Sequence, residues 1–283
     1  MTIFIQQFIY RLRTTRFSIF GGFSIHLYFD SGILSGSHPK RKPVYMFNNT
    51  LLFLIRSIIH FIVMVPWLSF GIVVGLLNNE AGVSIIFSWV RFFFRMYGIE
   101  VCVQNENDST EHLAGCVFTL LSQNSLLDGP VGICAIPRPC KGIVNLEYAL
   151  IPFFGWSMWI FCWVIIRQWP SQAKKTLSKV DAYLQNNGNI WMSIEGRRSK
   201  DGSLSQFRKG PVVVAIRAHA KIVPVIIYGT KEILGYGKYR IRSGKVVVRF
   251  LKKILTNGME YEDRDVLLNQ LVAIAEREVP KIQ

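Results

Sequence analysis

Acidic residues are scarce in this chain, where 18 Asp and Glu stand against 33 Lys and Arg in 283 residues, giving a formal charge of +15. The shortage is most marked at the start, where no acid precedes Asp30. Half of the residues are hydrophobic and the mean hydropathy is +0.28, which is unusual for a soluble nucleic-acid-binding protein. A protein that is both basic and apolar more naturally faces anionic lipid.

The sequence also lacks paired cysteine motifs. Five cysteines occur, with no Cys-x-x-Cys pair and mostly in apolar contexts: Cys102, Cys116, Cys134, Cys140 and Cys162. Cysteines of this kind are reduced and structural, so we predict neither a metal site nor a disulfide framework. No recognition motif or stacking platform accompanies the positive charge, which disfavours binding to nucleic acid.

Residues 1–45 differ in composition from the rest of the chain. Arg11, Arg13 and Arg16 lie among Ser, Thr and Phe, and a Gly- and Ser-rich stretch then leads to three basic residues at 40–42. Such a segment is an organelle transit peptide, a disordered basic tail, or sequence upstream of a true start at Met46. The last two interpretations are favoured because no cleavage context is visible. We predict no folded structure for residues 1–45.

A long hydrophobic run covers residues 51–77 and is interrupted only by Arg56, His60 and a few serines. As a helix rising ~1.5 Å per residue, the run is roughly 40 Å long, which exceeds the hydrocarbon core of a bilayer. A tilted transmembrane helix fits this length, and so do two shorter membrane-embedded helices that meet near Pro66. A buried helix of a soluble core is the third interpretation.

Residues 84–95 predict another helix with a narrow polar stripe. Ser84, Ser88, Arg91 and Arg95 recur at helical spacing, and the residues between them are apolar or aromatic. Such a helix lies either in a membrane interface or against a protein core. With the preceding run, it defines a membrane-anchoring helical region over residues 46–97.

Beyond Gly98, short β-branched or apolar runs alternate with helical patterns, which is typical of an α/β domain. The predicted strands cover residues 100–104, 115–121, 160–166, 189–194, 222–228 and 245–251. Between them, a helix is predicted with its N-cap at Ser171 and its end at Gly188. Its inward residues are Ala173, Leu177, Val180 and Leu184, and its outward residues are Lys174, Lys175 and Lys179. The predicted domain covers residues 98–255, and an amphipathic helix follows within residues 256–283.

Two polar blocks carry the chemical information. The first covers residues 122–128 and reads Ser-Gln-Asn-Ser-Leu-Leu-Asp after an apolar strand. The second, residues 193–210, opens with Ser-Ile-Glu-Gly-Arg-Arg-Ser and closes with Phe-Arg-Lys-Gly. The second block places a carboxylate, a flexible glycine and adjacent guanidinium groups at the end of a strand, which suits a phosphate-bearing ligand.

These blocks resemble two signature motifs of the glycerophosphate and lysophospholipid acyltransferase family, whose usual forms are Asn-His-x-Ser-x-x-Asp and Pro-Glu-Gly-Thr-Arg-Ser. Two further blocks follow the order of the family: residues 151–156 with Arg167, and the Val-Pro-Val run around Pro224. The resemblance implies a mixed sheet flanked by helices, preceded by an N-terminal membrane helix or broken helical hairpin. It also places the apolar residues 150–166 inside the domain rather than across a membrane.

The resemblance assigns the catalytic positions to Gln123 and Asp128. In the family, a His at the first position removes the proton of the acceptor hydroxyl, and the Asp orients its ring. Neutral imidazole suits this task near pH 7, whereas an amide has no useful proton affinity, and losing a general base commonly lowers the rate ~10²- to 10⁴-fold. Three interpretations remain: another group or a water held by Asp128 acts as the base, positioning and electrostatics sustain slow activity, or the domain binds lipid without catalysis.

The resemblance also implies a set of substrate-binding residues. Glu195 and Arg198 contact the phosphate or glycerol part of the acceptor, and the planar fork of Arg198 suits phosphate oxygens. Arg197 replaces the usual Thr and either favours an anionic acceptor or remains solvated. The other predicted substrate-binding residues are Ser125, Arg167, Gly196, Ser199, Lys209 and Pro224.

The function implied by this resemblance is transfer of a fatty acyl group from acyl-CoA or acyl carrier protein to a lysophospholipid hydroxyl, with a lysophosphatidate-like acceptor, in phospholipid synthesis or remodelling. No cofactor or metal is implied, because the donor is a co-substrate. The expected partners are the acceptor, the donor and a bilayer. The expected location is a membrane, either the endoplasmic reticulum or an organelle in a eukaryote or the inner membrane in a bacterium. The alternative is a catalytically impaired homologue that binds lipid or acyl-CoA.

Overall fold

A computed structural model describes residues 50–107, 113–165, 170–196, 198–199 and 203–279. The expectation for residues 1–45 therefore lies outside the described part of the chain. Two antiparallel helices, α1 (Thr50–Leu77) and α2 (Asn79–Tyr97), precede the sheet. The chain reverses at Asn78, whose side chain accepts a hydrogen bond from the backbone N–H of Ala81 (3.1 Å) and so caps α2.

Helix α1 continues through Pro66, so the alternative of two shorter helices that meet at this proline is wrong, and the alternative of one continuous helix is correct. Proline removes one backbone hydrogen bond, but close packing against α2 holds the helix together. Among the described residues, Phe53–Leu77 is a stretch long and apolar enough to cross a bilayer. Helix α2 carries the predicted polar stripe, because Ser84, Arg91 and Arg95 are exposed while its aromatic residues face inward.

Glycines allow the two helices to approach closely. A Cβ atom added to Gly82 meets the Cα of Gly75 at 2.3 Å, a contact that requires the backbones to separate. We expect Gly82→Ala to lower the free energy of unfolding by ~1 to 3 kcal/mol, the usual cost of overpacking. Denaturant titration in detergent measures this loss. Gly129→Ala is the matched control, because a Cβ there meets nothing within 4 Å, and equal losses in the two variants would contradict the close contact.

Within the described residues, seven strands form one mixed sheet, as the resemblance implied. They are β1 (Ile99–Asn105), β2 (Cys116–Leu120), β3 (Cys140–Asn145), β4 (Cys162–Ile165), β5 (Asn189–Ser193), β6 (Lys221–Tyr228) and β7 (Gly244–Phe250). Their order is β1-β7-β6-β2-β5-β3-β4, and neighbours are parallel except for β6 and β7. All six predicted strands are present with shifted ends, whereas β3 was missed because Lys141 and Gly142 interrupt its short apolar pattern.

Helices cover both faces of the sheet. The remaining helices are α3 (Asp128–Ala135), α4 (Leu146–Ala149), α5 (Phe154–Phe161), α6 (Pro170–Gln185), α7 (Gly210–Ala218), α8 (Thr230–Leu234) and α9 (Arg264–Glu278). Alternate residues of β2 point to opposite faces: Phe118 packs in the core with α1, α2, α3, α5 and α8, and Val117 packs in the core with α6, α7 and α9. Helices therefore pack against the sheet on both faces.

Residues 150–166 do not form a second transmembrane helix. They contain α5 and β4, and a turn precedes α5 at Phe153, which takes a positive φ of 58°. The predicted strand 160–166 is wrong at its start, because Ile160 and Phe161 are helical. The family pattern was therefore a better guide than hydropathy.

Helix α6 begins at Pro170, so Ser171 lies inside the helix and is not its N-cap. The predicted faces are correct where the side chains are described: Val180 and Leu184 are buried, and Lys175 and Lys179 are exposed. The left-handed residue that ends the helix is Asn187 (φ 61°) rather than Gly188, which is covered by the ring of Tyr183. The predicted C-terminal helix is α9, which packs on the same face of the sheet as α6 and α7.

Candidate active site

The carboxyl ends of β2, β5 and β6 lie side by side at one edge of the sheet, because these strands are adjacent and parallel. Each end continues into a polar segment: residues 121–127 after β2, residues 194–199 after β5, and α8 after β6. Ligands of α/β proteins bind at this edge of the sheet. The two polar blocks of the sequence therefore meet where a site is expected.

Asp128 begins α3 and is 1% exposed. One carboxylate oxygen, Oδ2, accepts hydrogen bonds from the backbone N–H groups of Asn124 (2.7 Å) and Ser125 (2.8 Å), and Oδ1 accepts one from the hydroxyl of Thr230 (2.5 Å). Burial raises the pKa of Asp128 to about 6, and the three hydrogen bonds oppose this shift. With hydrogen bonds to both of its oxygens, Asp128 holds the first block in a defined turn.

Ser125 is fully buried in the same turn. Its hydroxyl donates to the backbone carbonyl of Leu234 (2.6 Å) and accepts from the backbone N–H of Leu127 (3.1 Å). A short antiparallel bridge also joins Ser125 to Gly235. Ser125 thus attaches the first block to the segment that follows β6.

Gln123 joins the two blocks through its backbone. Its N–H donates to Oε2 of Glu195 (2.7 Å), and its carbonyl accepts from the N–H of Ser199 (2.8 Å). Its half-buried side chain forms no hydrogen bond with any residue that the structure describes. The amide therefore occupies the predicted base position without being held there by Asp128, whose oxygens are engaged by the turn.

Glu195 is 2% exposed and points inward rather than toward solvent. Oε1 accepts from the backbone N–H of Ser205 (2.6 Å), and Oε2 accepts from Gln123. Burial raises the pKa of Glu195, while these two hydrogen bonds stabilise its charged form. Gly196 follows with φ 69°, a left-handed conformation that favours glycine and turns the chain toward Arg198.

The remaining predicted substrate-binding residues are spread around this centre. The guanidinium of Arg198 lies 5.1 Å from the ring centroid of Tyr236, and Ser199 is buried beside it in sequence. Lys209 forms an ion pair with Asp265 of α9 (2.6 Å), and Pro224 is buried within β6 opposite Thr119. Arg167 and Arg197 lie outside the described residues.

Three contacts of the site were not predicted from the sequence. Thr230 bonds Asp128 across 102 positions of the chain, the backbone of Ser205 bonds Glu195, and Tyr236 stacks on Arg198. The position of Gly229-Thr230 directly after a strand of the same sheet was the available signal. A small cavity of about 120 Å³ lies beside this point, lined in part by Ser122, Asn124 and Thr230.

Neither described histidine replaces a base at Gln123. His60 of α1 packs against Trp89 and Phe93 of α2, with ring centroids 5.4 Å and 5.2 Å away. His219 is an exposed residue at the end of α7. No group of His, Cys, Asp or Glu within the described ranges is arranged to hold a metal ion.

Comparison with known proteins agrees with this geometry. Residues 100–228 match the family model described as Acyltransferase. The chain is 28% identical over 188 residues to a human 1-acyl-sn-glycerol-3-phosphate acyltransferase beta, covering 66% of this chain and 67% of the relative. It is 23% identical over 213 residues to a Haemophilus influenzae 1-acyl-sn-glycerol-3-phosphate acyltransferase, covering 72% and 87%.

The fold is also that of a solved structure. The crystal structure of the 1-acyl-sn-glycerophosphate acyltransferase PlsC from Thermotoga maritima aligns with a TM-score of 0.64 and 21% identity, covering 82% of this chain and 95% of that one. The order of the four blocks, the meeting of the two polar blocks at the carboxyl edge of the sheet, and the matched family model point to one conclusion. The chain belongs to the glycerophosphate and lysophospholipid acyltransferase family.

Proposed function

We propose that the protein is an O-acyltransferase that moves a fatty acyl group from acyl-CoA or acyl carrier protein to the free hydroxyl of a lysophosphatidate-like lysophospholipid. One observation carries the proposal: the backbone of Gln123 joins the first block, residues 122–128, to the second block, residues 193–210, through Glu195 and Ser199. This junction fixes the distance between the position where a hydroxyl proton is lost and the position where a phosphate is held.

In the reaction, the acceptor oxygen attacks the thioester carbonyl carbon, the new C–O bond forms, and the C–S bond breaks. The hydroxyl proton passes to surrounding water, which delivers a proton to the departing thiolate, so the products are the acyl ester and the free thiol. Gln123 cannot accept the proton, so Asp128 and the turn contribute by positioning the reactants and by the charge of the buried carboxylate. Transfer is therefore slow compared with a relative that carries a His at this position.

Recognition of the acceptor phosphate falls on Arg198. The two oxygens of Glu195 are committed to backbone N–H groups, so this carboxylate shapes the site and does not bind the head group. Arg198 follows the left-handed turn at Gly196 and is stacked on Tyr236, an arrangement that presents a planar guanidinium for bidentate contact with phosphate. Arg167 and Arg197 add positive charge to the same blocks.

The membrane association that we propose follows from the outer surface of α1. Large apolar residues are exposed along its whole length: Leu54, Ile55, Ile58, Ile59, Phe61, Ile62, Phe70, Val73, Leu76 and Leu77. The opposite side of α1 packs on α2 and α5, which themselves cover the sheet. An upright helix would draw the domain into the bilayer, so α1 lies along one leaflet and keeps the site at the lipid surface.

A second candidate function is favoured by Gln123 alone. A protein that lost its base while keeping the Glu195 junction and Arg198 binds lysophospholipid or acyl-CoA without transferring the acyl group. The backbone contacts of the turn do not involve the Gln123 side chain, so they are compatible with both functions.

Transfer of labelled acyl chain from acyl-CoA to a panel of lysophospholipids tests the two functions. We expect slow transfer to lysophosphatidate by the purified protein, and a further loss of ~10²-fold or more in Asp128→Ala, which removes the buried charge and releases the turn. Asp181→Ala is the matched control, because Asp181 pairs with Arg217 on the other face of the sheet. Binding of lysophosphatidate with zero transfer to any acceptor would establish the second function instead.

A further inference from the structure

A basic loop covers residues 235–243, between α8 and β7. The sequence has no acid between Glu232 and Glu260. The basic loop contributes the positive residues Lys238, Arg240 and Arg242, and Lys245 follows in β7. None of the four blocks that define the family includes this segment.

The basic loop lies at one end of the α1–α2 hairpin. The guanidinium of Arg240 lies 5.6 Å from the ring centroid of Phe53 in the first turn of α1, and the N–H of Gly244 donates to the carbonyl of Gly98 just after α2 (3.1 Å). Arg95, in the last turn of α2, is exposed at the same end of the hairpin. Positive charge therefore gathers at one end of the apolar helix.

The other end of the hairpin has the opposite character. Leu76 and Leu77 are exposed there, and the first turn of α2 carries Glu80 and no basic residue. With α1 lying along one leaflet, the basic end of the hairpin attracts anionic head groups, whereas the end that carries Glu80 does not.

Several side chains of the basic loop are exposed to solvent. Tyr239 is 85% exposed, and Lys238 and Arg242 are also exposed. Neither Lys238 nor Arg242 forms an ion pair with any residue in the described part of the chain. An exposed tyrosine between basic residues suits the membrane–water interface, where the ring meets lipid and the hydroxyl and cations meet head groups.

The basic loop is also fixed to the candidate active site. Tyr236 stacks on Arg198, and the carbonyl of Leu234, just before the loop, accepts the hydroxyl hydrogen bond of Ser125. A surface that touches the bilayer at Tyr239 is thus only a few residues from the arginine that meets the acceptor phosphate.

We propose that the basic loop is a docking surface for the head groups of anionic phospholipids. The proposal rests on the membrane association of α1 and does not require catalysis. Lys238, Arg240 and Arg242 supply charge complementarity, and Tyr239 enters the interface beside the first turn of α1. An acidic carrier protein is a less suitable occupant, because its docking would leave Tyr239 and the neighbouring apolar end of α1 in water.

Photo-crosslinking from three aromatic positions tests this surface. The photoreactive residue p-benzoylphenylalanine replaces Tyr239 in the basic loop, Phe61 on the outer side of α1, or exposed Tyr261 near α7 and α9 on the other face of the sheet. Each protein is incorporated into vesicles of phosphatidylcholine alone or mixed with phosphatidylglycerol. We expect Phe61 to crosslink lipid in both vesicles, Tyr239 to crosslink chiefly phosphatidylglycerol, and Tyr261 to crosslink neither.

Charge removal provides the second measurement. Lys238→Gln with Arg242→Gln is expected to lower crosslinking of phosphatidylglycerol at position 239 by ~10-fold, since each basic residue near an anionic surface contributes severalfold to binding. The control, Lys175→Gln with Lys179→Gln, removes the same charge from α6 and leaves crosslinking unchanged.

Distinct results separate the possible failures. Crosslinking from Phe61 with none from Tyr239 overturns the proposal while leaving membrane association intact, and silence at both positions overturns the membrane association itself. Binding of acyl carrier protein that is lost only in the Lys238 and Arg242 variant, without a lipid crosslink at 239, also overturns it in favour of protein docking. Acyl transfer is measured separately and does not enter these outcomes.

Discussion

Gln123→His raises the rate of acyl transfer to lysophosphatidate by ~10²- to 10⁴-fold, the usual contribution of a positioned general base. The reason is that the turn around Gln123 is complete without a histidine. Its backbone is held by Glu195 and Ser199, and the turn is held by Asp128, so a new imidazole enters a prepared position. The half-buried side chain of Gln123 forms no hydrogen bond with a described residue, so the substitution breaks none.

The pH profile identifies the new base. The transfer rate of Gln123→His should rise with pH as the imidazole loses its proton, near the ordinary histidine pKa of ~6.5. The rate of the parent protein should show no such rise, because the parent has no imidazole at this position. Asn124→His is the matched control, because it adds the same ring one position away from the predicted site of proton transfer. Equal gains in both histidine variants would show a nonspecific effect, and no gain in Gln123→His would mean that the turn does not present this side chain to the acceptor.

The location of the site could be predicted from the sequence, whereas the direction of its side chains could not. Both blocks follow apolar runs that become parallel neighbours, and this pattern places residues 122–128 and 194–199 at one edge of the sheet. Glu195 was expected to contact substrate because the family resemblance implied this role. It is buried because the fold brings two backbone N–H groups, those of Gln123 and Ser205, within 2.7 Å of its oxygens.

The structure at Pro66 and at Thr230 also depends on contacts that the local sequence does not reveal. Local geometry at the proline left a break open as one alternative, but α1 is continuous and packs against α2, a contact that the local sequence does not contain. Thr230 was overlooked because its partner, Asp128, lies 102 residues away. Long-range contacts decide such features, and a single sequence carries few signals for them.

Loss of the Glu195 carboxylate should have the largest effect on stability. Glu195→Ala leaves the partly buried N–H groups of Gln123 and Ser205 without their carboxylate partner, and each unsatisfied group costs up to ~3 kcal/mol, so we expect the free energy of unfolding to fall by as much as ~6 kcal/mol. Glu195→Gln keeps one carbonyl oxygen but turns an NH2 group toward the other N–H, so it should lose about half as much. Glu106→Ala, which breaks a partly exposed ion pair with Arg249, should lose no more than ~1 kcal/mol.

The pH dependence of unfolding separates the charge of Glu195 from its shape. Because burial raises the pKa of Glu195, the native protein holds its proton in a pH range where the unfolded chain has released it. The contribution of Glu195 to stability therefore falls as pH rises from its unfolded pKa, ~4.3, through its folded pKa, and this fall is absent in Glu195→Gln. Denaturant titrations of both proteins across this range measure the difference. Parallel curves would show that Glu195 titrates as in the unfolded chain, and would contradict its burial at the junction of the two blocks.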